Sequence, residues 1–260
     1  MQLARFVWQG SARWGVVRGG DVHDLEGRLW GEMSVGARVC ALDQVRLLAP
    51  LEPTNKVIGL GLTYKRMYAW FERTQGPSHR DGPAVFIKPP NTHIAHLEPI
   101  VYHEVCTRVI YEAEVGVVIG KTASRVGVAE ALDYVGGYTC LNDVTSQGFT
   151  TVEKPIVSTR FKICDTFCPI GPVVETDLDP EDITVLCRVN GVEVQRSNTG
   201  DAMCYSFAEM IAWVTSFMTL NPGDIIATGS NGTGPLRVGD TVEVEIPGLG
   251  ILSNPVVAPA

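Results

Sequence analysis

Short apolar runs bounded by glycine, proline and polar residues dominate the chain and are typical of β-strands. Residues 1–47 contain several such runs separated by glycines, a pattern that predicts a meander of short strands. Further strands are predicted over residues 57–62, 84–88, 111–120, 134–143, 183–191, 224–230 and 241–246. Because these strands do not alternate with long helical segments, the pattern predicts a mixed β fold with few helices.

Helical periodicity stands out in one segment. Ser206 and Glu209 have the spacing of a capping box, in which the hydroxyl and the carboxylate each accept a hydrogen bond from a backbone amide of the first turn. Apolar residues then follow at three- and four-residue spacing until Asn221-Pro222-Gly223 ends the run. The pattern predicts a helix in this segment and a second, shorter helix over residues 128–135.

Changes in composition along the chain predict its division into domains. Residues 48–56 (LAPLEPTNK) contain two prolines and no periodicity, which is typical of a connection. We therefore predict a small N-terminal β unit over residues 1–50 and a main domain over residues 51–260. Two polar stretches, 72–83 and 145–161, are predicted to be long loops, and both a lid over a site and a solvated excursion fit them.

Composition excludes several classes of function. The 260 residues include 21 Lys and Arg against 29 Asp and Glu, a formal charge of −8, which argues against a general nucleic-acid binder. The seven cysteines form no C-x-x-C pair and are predicted to be apolar fillers in a reducing compartment. No window is apolar enough to predict a membrane span, so we expect a cytoplasmic protein.

A group of acidic residues forms the most informative pattern. Glu112 and Glu114 are two residues apart at the start of an apolar strand, so both side chains are predicted to face the same way. Asp143 ends a second predicted strand and supplies a third carboxylate. Buried like charges are costly unless a cation joins them, and an all-oxygen set suits Mg²⁺ or Mn²⁺. The alternative is a solvated edge strand with Asp143 capping a turn.

Six segments carry a resemblance that runs in order through residues 55–257: YEAEVGVVIGK, GYTCLNDVT, KICDTFCPIGP, VNGVEVQ, TLNPGDIIATGS and VGDTVEVEIPGLGILSNPV. In their order and spacing they resemble the fumarylacetoacetate hydrolase family. The stretch FIKPPNT and the course of residues 84–257 most resemble its bacterial isomerase/decarboxylase branch of the homoprotocatechuate pathway. The resemblance implies a compact mixed-β roll, a bound divalent metal ion, a small 2-oxo acid as substrate and a homodimer.

The resemblance also implies roles for individual residues. The metal ligands would be Glu112, Glu114 and Asp143. Lys162 matches a lysine beside the metal and would anchor a substrate carboxylate or polarise a developing enolate. The implied substrate-binding residues are Tyr64, Gln195, Thr228, Gly229 and Ser230. The last three form a turn whose hydroxyls and amides would hold the substrate carboxylate.

The chain departs from the family pattern in two places. Hydrolases of the family carry N-Y-x-x-H-x-x-E, whose histidine and glutamate activate a water molecule. Here the corresponding residues are Met67 and Trp70, neither of which accepts a proton. His79, in the predicted loop, is the alternative base. The second departure replaces the arginine of N-D-V-S-x-R with Gln147.

These features together predict a type of reaction. A metal ion held by three carboxylates keeps open positions, where a 2-oxo acid can chelate and form an enolate. Moving a double bond or losing carbon dioxide from this state requires no activated water. The sequence thus predicts a metal-dependent isomerase or decarboxylase of an unsaturated 2-oxo acid or diacid, in aromatic-compound catabolism. Two alternatives stay open: a fumarylpyruvate-type C–C hydrolase, with His79 or a metal-bound hydroxide as base, and a non-catalytic metal-binding relative.

Overall fold

The computed structural model describes residues 1–75, 82–150 and 158–260, and within these ranges β-strands far outnumber helices. The strands are β1 (Gln2–Trp8), β2 (Ser11–Arg18), β3 (Asp21–Gly27), β4 (Met33–Ala41), β5 (Arg46–Leu48), β6 (Val57–Gly61), β7 (Ala84–Lys88), β8 (His93–Ile94), β9 (Ile100–Val101), β10 (Val109–Tyr111), β11 (Ala113–Ile119), β12 (Val135–Asn142), β13 (Thr145–Ser146), β14 (Cys168–Glu175), β15 (Thr184–Val189), β16 (Val192–Asn198), β17 (Ile225–Ala227), β18 (Gly234–Leu236), β19 (Thr241–Ile246) and β20 (Gly250–Val257). The helices are α1 (Lys65–Gln75), α2 (Thr199–Ala202) and α3 (Phe207–Thr215). Short 3₁₀ helices lie at Leu42–Gln44, Pro90–Thr92, Val128–Tyr134 and Ser158–Phe161. The predicted mixed β fold with few helices is confirmed.

The described strands form three sheets, the largest of which runs in the order β4-β3-β2-β1-β14-β12-β11-β17-β6-β7. A second sheet, β16-β15-β19-β20-β9, contacts it through pairs such as β14 with β20 and β12 with β19. A small third sheet consists of β13, β10 and β18. Every residue of β11 is buried, which explains its apolar character on both faces.

The N-terminal strands continue the main sheet. Strand β1 pairs with β14, placing Gln2 opposite Glu175 and Leu3 opposite Val174. Strands β1 to β5 enclose a small apolar core of their own around Phe6. The N-terminal β unit is thus present, while the division of the chain at residue 50 stays a prediction.

The clearest predicted helix is confirmed, with the predicted cap. The Ser206 hydroxyl accepts a hydrogen bond from the amide of Glu209 (3.2 Å), and the Glu209 carboxylate accepts one from the amide of Ser206 (2.7 Å). The second predicted helix is present over Val128–Tyr134 and is of the tighter 3₁₀ type. Among the described residues no helix is long and apolar enough to cross a membrane.

The predicted polar loops are partly wrong. Helix α1 extends to Gln75, so the first four residues of the 72–83 stretch are helical rather than loop. This helix lies on the surface, and its polar residues conceal its periodicity. The 145–161 stretch contains β13 and a 3₁₀ helix. The remainders of these stretches, residues 76–81 and 151–157, lie outside the described residues.

Candidate functional site

A break between two strands positions the first carboxylate. Glu112 lies between β10, which pairs in the small sheet, and β11, which pairs in the main sheet. Its amide donates to Asn142 Oδ1 (3.1 Å), and its carbonyl accepts from the amide of Asp143 (2.9 Å). The prediction of one continuous strand through Glu112 and Glu114 is therefore wrong, because the backbone changes sheets between them. Glu114 lies on β11, and Asp143 follows the end of β12.

The three predicted carboxylates nevertheless converge. One oxygen atom each of Glu112, Glu114 and Asp143 lies within 4.8 Å of the others. Glu114 and Asp143 are 2% and 1% exposed. Burial, together with the like charges of Asp143 and Glu112, raises the pKa of Glu114 well above its ordinary value. Burial also raises the pKa of Glu112. The alternative of a solvated edge strand is thus wrong, because Glu114 and Asp143 are buried and Glu112 is 17% exposed beside them.

Lys162 lies beside the carboxylates, as predicted. Its Nζ donates to Glu112 Oε2, to Asp143 Oδ2 and to Thr145 Oγ1, the last at 2.7 Å. The ammonium also lies 4.5 Å from the centre of the Phe86 ring, a cation–π contact. Burial opposes the charged form, but Asp143 and Glu112 outweigh it and raise the pKa of Lys162. Lys162 is therefore a cation held against the carboxylate cluster.

A second lysine, Lys88, completes the cluster and was missed by sequence reasoning. Lys88 is 0% exposed at the end of β7; its Nζ lies 2.8 Å from Asp143 Oδ1 and donates to the Val144 carbonyl (2.9 Å). Burial alone would raise the pKa of Asp143, but Lys162 and Lys88 hold it below its ordinary value. The only signal in the sequence is a lysine directly after the apolar run AVFI.

The donor set fits a divalent cation. Three carboxylates and two lysines leave a net charge of −1 in a buried space where the Lys162 ammonium already bridges Glu112 and Asp143. Glu114 Oε2 accepts one hydrogen bond, from the Gly229 amide (2.8 Å). Carboxylate oxygens with no sulfur or imidazole among them suit Mg²⁺ or Mn²⁺ rather than Zn²⁺.

The predicted Thr228-Gly229-Ser230 turn lies against the cluster. Gly229 has a φ of +89°, and a Cβ atom there would lie 2.0 Å from Thr63 Oγ1, so only glycine fits. The hydroxyls are already engaged: Thr228 Oγ1 donates to the Val115 carbonyl (2.9 Å), and Ser230 Oγ donates to the Gly232 carbonyl (2.5 Å). Binding of a substrate carboxylate by either hydroxyl thus requires that hydroxyl to turn.

The two remaining predicted substrate residues lie close behind the carboxylates. Gln195 Nε2 donates to the carbonyl of Ala113, the residue between the two glutamates (3.2 Å), and its Oε1 lies 3.2 Å from Ser230 Oγ. Tyr64 is buried, and its burial, with the nearby charge of Glu114, raises the pKa of the phenol. Gln195 thus contacts the backbone between the two glutamates, and Tyr64 is buried near Glu114.

A cavity of about 690 Å³ opens in front of the cluster. One wall carries Glu112, Thr145 and Lys162. Another wall is a face of α1 that includes Met67 and Trp70, so the positions predicted to lack a proton acceptor do line this cavity. His79, the alternative base, lies outside the described residues.

Comparisons with known proteins show the family to which the chain belongs. Residues 56–257 match the family model for the fumarylacetoacetate (FAA) hydrolase C-terminal domain, and residues 1–50 match a model described as Rv2993c-like, N-terminal. Oxaloacetate tautomerase YisK of Bacillus subtilis is 36% identical over 234 residues, which cover 85% of this chain and 76% of that protein.

Two solved structures of named enzymes superpose over the whole chain. The 2-hydroxyhepta-2,4-diene-1,7-dioate isomerase of Mycobacterium marinum has a TM-score of 0.87 and 32% identity, covering 100% of this chain and 99% of that one. A maleylpyruvate hydrolase of Sphingobium sp. SYK-6, in complex with manganese(II) and pyruvate, has a TM-score of 0.80 and 28% identity with complete coverage of both chains. With the family model matching residues 56–257, the chain belongs to the fumarylacetoacetate hydrolase family.

Proposed function

We propose that this protein is a divalent-metal-dependent isomerase of 2-oxo acids that interconverts their keto and enol forms. The observation that carries the proposal is a cavity lined both by Lys162 with Glu112, one of the three clustered carboxylates, and by Met67 with Trp70 of α1. The site can therefore stabilise negative charge on a substrate oxygen and has no proton acceptor at either position on α1, so the proton that leaves or joins the substrate carbon is exchanged with solvent water.

Glu112, Glu114 and Asp143 would hold the cation, and Gly229 and Gln195 would keep the glutamates in place through the contacts described above. When bound, a divalent ion supplies a Lewis acid that draws electron density from the keto group of a 2-oxo acid. Glu112 in the break between β10 and β11, Glu114 on β11 and Asp143 after β12 would thus bind one cation together.

Lys162 would stabilise the negative charge that develops on the substrate oxygen. Its three ammonium protons are donated to Glu112, Asp143 and Thr145, so a substrate oxygen must replace one of these acceptors. The Phe86 ring and the surrounding carboxylates keep the ammonium at the cavity wall during this exchange. The positive charge of Lys162 is thereby available to the substrate oxygen without a large rearrangement of the site.

The same site disfavours hydrolysis. Attack by water on a carbonyl carbon needs a general base, which contributes typically about 10²–10⁴-fold in rate, and neither Met67 nor Trp70 supplies one. The names of the tautomerase and isomerase relatives support isomerisation. Decarboxylation of a 2-oxo diacid uses the same charge stabilisation and is the second candidate. A role in aromatic-compound catabolism, a homodimer and the choice between Mg²⁺ and Mn²⁺ remain parts of the proposal that rest on the resemblance.

The test is a tautomerase assay on freshly dissolved enol-oxaloacetate, followed by the loss of enol absorbance with and without Mn²⁺. We expect metal-dependent acceleration that falls about 10²–10³-fold in Lys162→Met, the loss typical of one electrostatic stabiliser. Lys121→Met, at an exposed lysine outside the cavity, is the matched control and should keep wild-type activity. Pyruvate release, measured in parallel, separates decarboxylation from isomerisation. Rapid cleavage of fumarylpyruvate without tautomerase activity would overturn the proposal in favour of the hydrolase.

A further inference from the structure

Helix α1 presents two arginines to the cavity. Arg66 and Arg73 lie one turn before and one turn after Trp70, so all three residues share the face that lines the cavity. Seven residues of helix separate the arginines by roughly 10 Å along the axis. Their guanidinium groups therefore flank the apolar patch made by Trp70 and Met67.

Neither arginine has an ion-pair partner within the described ranges 1–75, 82–150 and 158–260. Some arginines of the described chain are paired, such as Arg196 with Glu193, and others, such as Arg18 and Arg237, form no ion pair. Gln147, on the same cavity wall as Thr145, is neutral and supplies no charge to offset the arginines. The cavity thus carries positive charge on the side that faces the metal-binding cluster.

The position of Arg66 connects this charge with the metal-binding wall. Arg66 Nη1 and Gln195 Oε1 lie 3.8 and 3.7 Å from the point where a Cβ atom of Gly232 would stand. Gln195 in turn donates to the carbonyl of Ala113, between the metal-binding glutamates. A ligand in the cavity can therefore contact Arg66 while it lies close to the segment that carries the glutamates.

The balance of charge indicates what that ligand carries. With a divalent ion added, the three carboxylates, Lys88 and Lys162 have a net charge of +1. The carboxylate of a 2-oxo acid neutralises this charge and leaves Arg66 and Arg73 without a counterion. A second carboxylate at the far end of the same molecule supplies one, and guanidinium groups bind carboxylates with well-defined geometry.

We infer that Arg66 and Arg73 bind the distal carboxylate of the substrate and make the site selective for 2-oxo dicarboxylic acids over 2-oxo monocarboxylic acids. The inference rests on the proposed function for the placement of the 2-oxo end of the substrate at the metal. It assigns the selectivity to α1, the wall of the cavity that carries none of the predicted metal ligands.

The test measures binding, which separates this inference from the proposed reaction. Dissociation constants are determined by calorimetry in Mn²⁺ for two matched pairs of ligands, 2-oxoglutarate with 2-oxopentanoate and 2-oxoadipate with 2-oxohexanoate. We expect the wild type to prefer at least one dicarboxylate about 10- to 100-fold over its monocarboxylate partner, the range of one or two charge-assisted hydrogen bonds. Arg66→Gln/Arg73→Gln should abolish that preference and leave the affinity for the monocarboxylates unchanged.

Lys65→Gln is the matched control, since it removes one positive charge from the same helix. The Lys65 ammonium donates to the Asp201 carbonyl (2.7 Å), and Lys65 does not line this cavity, so the preference should persist. Arg66→Lys/Arg73→Lys should retain part of the preference, and circular dichroism checks that each variant is folded. No preference in the wild type, its survival in the double glutamine variant, or its loss in Lys65→Gln would each overturn the inference. A preserved preference in a protein without tautomerase activity would overturn only the proposed function.

Discussion

Replacing Glu114 with glutamine should stabilise the metal-free protein while preventing metal binding. Glutamine has the shape of glutamate, and its amide oxygen can keep the hydrogen bond from the Gly229 amide. The substitution removes one negative charge from a buried group of three. The negative charge of Glu114 that metal binding would require is therefore expected to lower the stability of the metal-free protein.

The expected gain follows from the separation of the charges. At the 4.8 Å limit between the oxygen atoms, each like-charge pair costs about 3 kcal/mol if the effective dielectric constant is about 20. Glu114 faces both Glu112 and Asp143, and attraction to Lys162 offsets part of that cost. The raised pKa of Glu114 expresses the same cost as an increased affinity for a proton. We expect a net gain of about 1–3 kcal/mol in the free energy of unfolding of the metal-free protein.

Urea denaturation in the presence of a chelator, and again with Mn²⁺, checks this reasoning. With free metal at about 1,000 times its dissociation constant, the wild type should gain about 4.1 kcal/mol and Glu114→Gln much less, so the order of stability should reverse. Glu104→Gln removes an exposed carboxylate outside the cluster and should change little in either condition. A Glu114→Gln variant that is less stable than the wild type without metal, or equally stabilised by Mn²⁺, would refute the argument.

Two further substitutions test the parts that surround the cluster. Lys88→Met should lower the free energy of unfolding by about 3–5 kcal/mol because it removes one partner of a fully buried ion pair, whereas Arg196→Gln, in an exposed pair with Glu193, should cost at most about 1 kcal/mol in the same urea titration. Equal losses in the free energy of unfolding for the two variants would contradict the burial of Lys88 and the exposure of Arg196. Gly229→Ala should cost at least about 1–3 kcal/mol, since its Cβ atom meets Thr63 Oγ1 at a positive φ, and the same variant with Thr63→Ala should regain part of the loss; no recovery would show that the contact is not the cause.

Local patterns in the sequence predicted those parts of the structure that depend on local interactions. The strands at 84–88 and 241–246 have the predicted bounds, and the Ser206 cap begins α3 as the capping box requires. The convergence of the carboxylates was indicated by the apolar run around the glutamates, and the full set of three was implied by the resemblance to the family. The strands and the cap depended on the residues themselves, whereas the carboxylate set depended on the resemblance as well.

The parts that were missed depend on contacts between distant segments. Lys88 ends a strand, where a lysine usually reaches solvent, and only the fold brings Asp143 to its ammonium. The change of sheets at Glu112 depends on partners in β12 and β18 that the local pattern does not specify. Helix α1 is a surface helix with Trp70 47% exposed, and its sequence is polar on average, so it resembles a polar loop in composition.

The two walls of the cavity differ in how freely they can change. The strand-borne wall consists of buried charges that are mutually paired, so removing one of them leaves another unpaired and is costly. The wall formed by α1 is partly exposed, and substitutions at Met67 or Trp70 disturb few such contacts. In the function and selectivity proposed above, the reaction type and the choice of substrate depend on which groups α1 presents, while the carboxylates that would bind the metal stay the same. Under this proposal, substitutions on a single helix face exchange hydrolysis for isomerisation without a change in the strand-borne wall.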